Sequence, residues 1–283
     1  MAGAKAQNAP LGILLAVFTL GLLRLRKDAV WTRIIGISCI LLVLTTAITY
    51  LSVPENIKVC NKYQSVFFGI LKDSPTPKED LKELGLNQEF SVLAGTSYFM
   101  QEYPLNIRDP LFLAQIGSKI SPFKVAAFYI HHPSRYMNKL AVTAQNAFTL
   151  VQGVGNYEKS ENMPFRKTTS SFLLWSNFKN NYLPHSLLFL GILFTGYTLV
   201  LLLFYFKKKN SFDRILLEVF MLVGAIGVTQ FLIPILGDGE ADLSKHLFLF
   251  NVCFDVIFIS SIVWILHFIL KAANKSLSAC FSE

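Results

Sequence analysis

The sequence predicts an all-α membrane protein of about five transmembrane helices, with a mostly helical extracytoplasmic domain between the second and third. Three observations predict this class. Residues 11–23, 34–53, 186–206, 215–236 and 246–270 are apolar runs almost free of charge, in a chain that is 53% hydrophobic. One long polar stretch, 54–185, separates the second run from the third. The basic residues collect in two short loops, where the positive-inside rule places them.

A helix needs roughly 20 apolar residues to cross about 30 Å of hydrocarbon. The last four runs meet that length. The first, Leu11–Leu23, is short. It reads as a full span extended by Ala9 and Pro10, as an interfacial segment, or as the remnant of a truncated helix. A cleaved signal peptide fits poorly, because its cations follow the apolar run and no small-residue cleavage site is evident.

Arg24, Arg26, Lys27 and Arg33 surround Asp28 after the first run, and Lys207, Lys208, Lys209 and Arg214 surround Asp213 after the third. The loop after the fourth run holds Asp238, Glu240 and Asp242 against Lys245 alone. Both basic loops are therefore expected in the cytoplasm, with the acidic loop and the long domain outside. Five spans then put the N-terminus outside and the tail, with Lys271 and Lys275, inside. The division is 1–53 for two membrane segments, 54–185 for the outer domain, 186–270 for three spans and 271–283 for the tail. The formal charge of +8 is a topology signal here and not a sign of nucleic-acid binding.

Within the outer domain, apolar spacing predicts a helix over Val59–Leu71. Thr76-Pro77-Lys78-Glu79 has the form of a capping box, for a helix stopping at Gly85. Phe90–Leu93 is short enough for a strand. Asp109-Pro110 opens a helix to about Ile116, and Ser121-Pro122 opens one to about His131 that Pro133 ends. Ser134–Gln152 is the longest, followed by a turn at Gly153–Asn156. Trp175, Phe178 and Tyr182 then recur at helical spacing beside Lys179, as on an interfacial amphipathic helix.

Cys39, Cys60, Cys253 and Cys280 are dispersed, which implies no disulfide framework and no cysteine zinc site. HExxH, Walker, GxSxG and GxGxxG sequences are absent. Asn274-Lys275-Ser276 matches a glycosylation sequon on the cytoplasmic side. Adjacent His131 and His132 point about 100° apart on a helix, a poor start for a shared metal.

The chemistry-bearing candidates lie near the fifth run. Asp255 is expected near mid-membrane, where an ionisable group costs several kcal/mol unless it is paired or hydrated. Helical spacing puts Ser244, Asn251 and Asp255 on one face, either as a polar clamp with Gln230 or Thr229 or as the lining of a substrate cavity. Asp238, Glu240 and Asp242 alternate as in the first half of a calcium loop, but the closing position is Leu249, which excludes an EF-hand. A looser divalent-cation site, a general base at Asp242, or a solvated turn all remain open. Lys245 and His246 at the mouth of the run suit a phosphate, or, for the lysine, plain snorkelling.

Two stretches carry a family resemblance: Gly237-Asp238-Gly239-Glu240-Ala241-Asp242-Leu243-Ser244-Lys245-His246-Leu247-Phe248-Leu249-Phe250-Asn251 with Asp255, and Asn61-Lys62-Tyr63-Gln64-Ser65-Val66-Phe67-Phe68-Gly69-Ile70-Leu71-Lys72-Asp73-Ser74. They resemble the C-terminal region of bacterial multi-pass hexose transferases of surface-layer glycan assembly. That resemblance implies a membrane glycosyltransferase using a polyprenyl-phosphate sugar at the outer face. Such enzymes carry a catalytic carboxylate in the first outer loop, whereas the segment before the first run has no acid. The likeness is therefore to the C-terminal half, it transfers no catalytic residue, and it implies a protein partner supplying the missing spans.

On the residues alone, Asp242 and Asp255 are the catalytic candidates. Lys245, His246 and Asn251 are the candidates for substrate binding, and Asp238, Glu240 and Asp242 for metal. The competing reading is a non-catalytic, membrane-anchored binding or accessory subunit. A transporter using Asp255 as an ion site fits least, because an odd number of spans argues against inverted repeats.

Overall fold

A computed structural model describes residues 8–149 and 173–280, the last six as backbone only. The expected turn at Gly153–Asn156 and the side chains of Lys275, Ser276 and Cys280 lie outside the described residues, whereas the helix predicted over Ser134–Gln152 already ends at Gln145, where Asn146 begins a turn. Four helices are long and apolar enough to cross a membrane: α2 (Ala29–Leu51), α9 (Leu187–Lys207), α10 (Ser211–Asp238) and the Phe248–Asn274 part of α12 (Phe248–Cys280). Every described element is helical or turn, as the apolar periodicity predicted.

The short first run forms α1 (Ala9–Gly21) and a 3-10 turn at Leu22–Arg24. Together they extend about 25 Å, most of a hydrocarbon core. α1 packs beside α2 so closely at Gly12 that a Cβ there would sit 1.8 Å from the Thr46 hydroxyl. Its first turn reaches the other spans, where Leu11 is buried with Ile226 and Cys253. Its far end is tied to α10 by an ion pair between Arg24 and Glu218. The first basic loop thus meets the first turns of α10, beside the second basic loop. Both lie at one end of the bundle, and the helical domain covers the other.

That domain opens with α3 (Glu55–Tyr63), which continues as a π-helix over Gln64–Ile70. α4 (Pro77–Glu83) stops as expected, with Gly85 at φ +70 and Leu86 N–H donating back to the Leu81 carbonyl at 2.8 Å. The capping box does not form. The Thr76 side chain makes no cap bond, and the Thr76 N–H instead donates to Ser74 Oγ at 3.1 Å. Phe90–Leu93 is not a strand but part of a 3-10 helix, Gln88–Leu93, started by Asn87 accepting from Glu89 N–H.

α5 (Pro110–Lys119) and α6 (Pro122–His131) begin as predicted, with Asp109 accepting from Phe112 N–H and Ser121 from Lys124 N–H. α7 (Pro133–Gln145) starts at the proline that ends α6. α8 (Leu174–Tyr182) precedes the third apolar run, and the single turn α11 (Leu243–His246) separates α10 from α12.

One hydrophobic core runs through both parts. It includes Tyr63, Phe67, Phe112 and Phe148 of the domain and Leu190, Phe231, Phe250 and Phe254 of the bundle. Tyr63, Phe67 and Phe112 form ring pairs at 4.6–6.1 Å, each contributing about 0.5–1.5 kcal/mol beyond area burial. Lysines finish helix ends: Lys124 Nζ donates to the Leu84 carbonyl past α4, and Lys62 Nζ to Gly117 in α5.

Candidate functional site at the junction of domain and bundle

The end of α10 that meets the helical domain is shaped by two residues that break a regular helix. Pro234 lacks the N–H that would bond the Gln230 carbonyl. Nearby, Tyr136 of α7 donates its hydroxyl to the Leu232 carbonyl at 3.1 Å. Gly239 then turns the chain at φ +58, ψ −136, a conformation for glycine alone. It lies against the π-helix: a Cβ at Gly239 would meet the Gln64 carbonyl oxygen at 2.6 Å and Gly69 N at 2.8 Å. This close approach carries Glu240 into the domain, where its N–H donates to the Phe68 carbonyl at 3.3 Å.

Two lysines wait there. Lys139 Nζ donates to Glu240 Oε1 at 2.6 Å and to the Lys72 carbonyl at 2.9 Å, and Lys72 Nζ pairs with the other carboxylate oxygen. The Glu240 side chain is 6% exposed and that of Lys139 9%. Beside them Arg135 grips Asp80 with two bonds, at 2.7 and 2.8 Å, and donates to the Ile70 carbonyl. Burial pushes the nearby Tyr129 phenol up, in the field of Arg135 and Glu240. Such buried pairs are costly to break, because the partner left behind stays charged out of water.

The alternating carboxylates do not converge on one cation. Asp238 pairs with His246 Nε2 at 2.9 Å, Glu240 with Lys72 and Lys139, and Asp242 with Lys245 at 2.9 Å. Among the described residues no three histidine, cysteine, aspartate or glutamate side chains are grouped to hold a metal ion. Nor is the segment a solvated turn throughout: Asp242 and Lys245 are exposed, whereas Glu240 and His246 are largely covered. His132 and His131 both meet Glu83, at 2.9 and 3.5 Å.

The second junction centres on Asp255. It lies seven residues into α12, about 10 Å from the end of a far longer helix that meets the helical domain, and so not near the middle of that helix. Its partner is neither Gln230 nor Thr229. Lys179 of α8, fully buried, donates to Asp255 Oδ1 at 2.8 Å and to Asn251 Oδ1 at 3.0 Å. Asn251 is itself fixed, its Nδ2 donating to the carbonyls of Ala147 and Leu247. Trp175 supplies a ring face 5.8 Å from the ammonium. Ser244 takes no part, because the break at Leu247 puts it on α11 and not on α12.

Asn251 and Asp255 thus come together on one face of α12, while Asp242, Lys245 and His246 stand at the short turn α11 before it. Lys179, Lys72 and Lys139 were missed. Lys179 had a readable signal: an aspartate inside a span demands a cation, and this lysine interrupts the adjacent aromatic stripe. Among the described residues the Asp255 carboxylate is paired on one side only, with its side chain 30% exposed. An ion pair with one free edge can hold its charge in a low-dielectric setting and still meet a second group.

The chain belongs to the family described as the YfdI N-terminal transmembrane domain, whose model matches residues 1–278. Comparison with curated proteins and with solved structures returns no match. Family membership and the apolar helices make this a multi-pass membrane protein.

Proposed function

We propose, with that family membership as premise, that the chain serves cell-surface glycan assembly as all or part of a hexosyltransferase using a lipid-phosphate sugar at the outer face. Positive-inside topology supports the side, since the basic loops lie at the end away from the domain. The carrying observation is the one-sided Lys179–Asp255 pair, a carboxylate held in the outer part of a span with an open edge.

In this reading an acceptor hydroxyl attacks the anomeric carbon, the carbon–phosphate-oxygen bond breaks, and the lipid phosphate departs with the bonding electrons. Asp255 takes the hydroxyl proton. Lys179 and Asn251 position that carboxylate. Exposed Lys245 meets the phosphate at the mouth, beside Asp242.

The test is transfer from a polyprenyl-phosphate hexose in native membrane vesicles. Asp255→Asn keeps the shape of the side chain and removes the base, and transfer should fall by about 10²–10⁴-fold. The paired change Lys179→Met with Asp255→Asn controls for folding. Undiminished transfer by folded Asp255→Asn protein would overturn the assignment.

A second reading, a membrane-anchored binding or accessory subunit, is favoured by one observation: every acid of the 237–242 turn has a side-chain partner inside the chain. It predicts normal transfer in the Asp255 variant, with altered partner crosslinking when the outer domain is changed.

A further inference from the structure

α8 is nine residues long, about 13 Å, and far too short to cross a bilayer. On a helical wheel Leu174, Phe178, Tyr182 and Trp175 fill an arc of about 100°, with Lys179 beyond one edge, Asn181 beside the other, and Ser176, Asn180 and Asn177 on the far side. Trp175 stacks on Phe178 and Phe178 on Tyr182, with centroids at 5.4 and 5.9 Å. Although stacked, the four side chains stay exposed, Tyr182 at 77% and Leu174 at 88%.

The depth of this face follows from its neighbour on α12. Trp175 and Phe178 both contact Phe258, at 6.0 and 6.3 Å. Phe258 lies three residues beyond Asp255, about 4.5 Å further toward the inner end of α12. Val256, Ile259, Ile262 and Val263 beside it are exposed apolar residues of the span. The ring face is therefore continuous with the lipid-facing surface of α12 and stands at the depth of that apolar span. Only Lys179 of this arc turns inward, to Asp255.

We propose that the Leu174–Trp175–Phe178–Tyr182 face of α8 is a lipid-docking surface, embedded in the outer leaflet and covered by acyl chains. α8 lies in the plane of the membrane with Ser176, Asn177 and Asn180 toward the headgroups. The consequence is that the open edge of Asp255 is reached from the headgroup zone of the leaflet and not from bulk water. This inference does not depend on the reading of transfer chemistry.

The experiment uses the full chain in phosphatidylcholine bilayers, with Trp31→Phe and Trp264→Phe leaving Trp175 as the reporter. Phosphatidylcholine brominated at shallow acyl carbons should quench its emission to about half or less, as for a helix buried roughly 5–10 Å into the boundary, while aqueous iodide has little effect. If the double variant does not fold, the difference between wild type and Trp175→Phe reports the same quenching. Iodide quenching without bromine quenching overturns the proposal, leaving the face to water or a glycan. Disulfide crosslinking of two chains through Tyr182→Cys also overturns it, since a second copy would then be the cover.

Discussion

The two charged junctions that join the helical domain to the membrane bundle differ in how many sides of the acid are used. Glu240 is held by two lysines and is almost wholly covered. Asp255 is held by one lysine, with asparagine and indole completing the cation's surroundings and nearly a third of its own side chain open. The first arrangement spends the whole acid on fastening. The second fastens as well, yet among the described residues it leaves one edge of the carboxylate open. The proposed function rests on the second for that reason, and stability on the first.

Removing an acid breaks this comparison most strongly. Asp255→Ala strands a fully buried ammonium and should cost about 3–5 kcal/mol, measured by denaturant unfolding in detergent micelles. Asp255→Asn retains an oxygen acceptor and should cost clearly less. Gly239→Ala is next. A Cβ would overlap backbone atoms of Gln64 and Gly69, and positive-φ strain alone contributes about 1–3 kcal/mol, so the closed junction should loosen with no change of charge. Glu240→Gln should cost about 2–3 kcal/mol, because Lys139 keeps the Lys72 carbonyl and the nearby Asp73 carboxylate.

Smaller changes sharpen the account inside the domain. Ser121→Ala removes a real helix cap and should cost about 1 kcal/mol, whereas Thr76→Ala should shift thermal unfolding by almost nothing. Burial, with Asp238 close by, pushes the Cys60 thiol up to about 11 from 9.0, and burial raises Tyr63 and Tyr136 to about 12 from 10.0. The neutral forms are favoured by folding. Their contribution is therefore complete below about pH 9 and is lost as pH rises through 11 to 12. Melting should stay level from pH 7 to 9 and fall above that, with Cys60 slow to react with thiol reagents at pH 8.

Much of the frame was legible in the sequence because hydrophobic period and length are local signals. The four long spans, the helix starts at Asp109 and Ser121 and the stop at Gly85 follow from neighbours a few residues apart. The short first run was harder, since only its packing of Leu11 on Ile226 and Cys253 shows how far it reaches. Phe90–Leu93 misled because a brief apolar run suits a 3-10 turn as well as a strand. Thr76 misled because Ser74, two residues earlier, took the N–H bond nearby.

The junctions were only half legible. Asp255 and Asn251 share a helical face, so their meeting was local. Lys179 lies 76 positions from Asp255, and Lys72 lies 168 from Glu240. No period in a single chain encodes such pairings. A lysine on an aromatic stripe reads as an interfacial anchor until the unpaired aspartate of the span is matched to it.

The most direct test of the contrast is to measure hexose transfer per folded molecule for Asp255→Asn and Glu240→Gln in the same vesicles. The account predicts a folded but inactive Asp255 variant and a less stable Glu240 variant whose folded fraction works normally. Equal activity per folded molecule in both variants would contradict it and leave the two junctions as fasteners of the same kind.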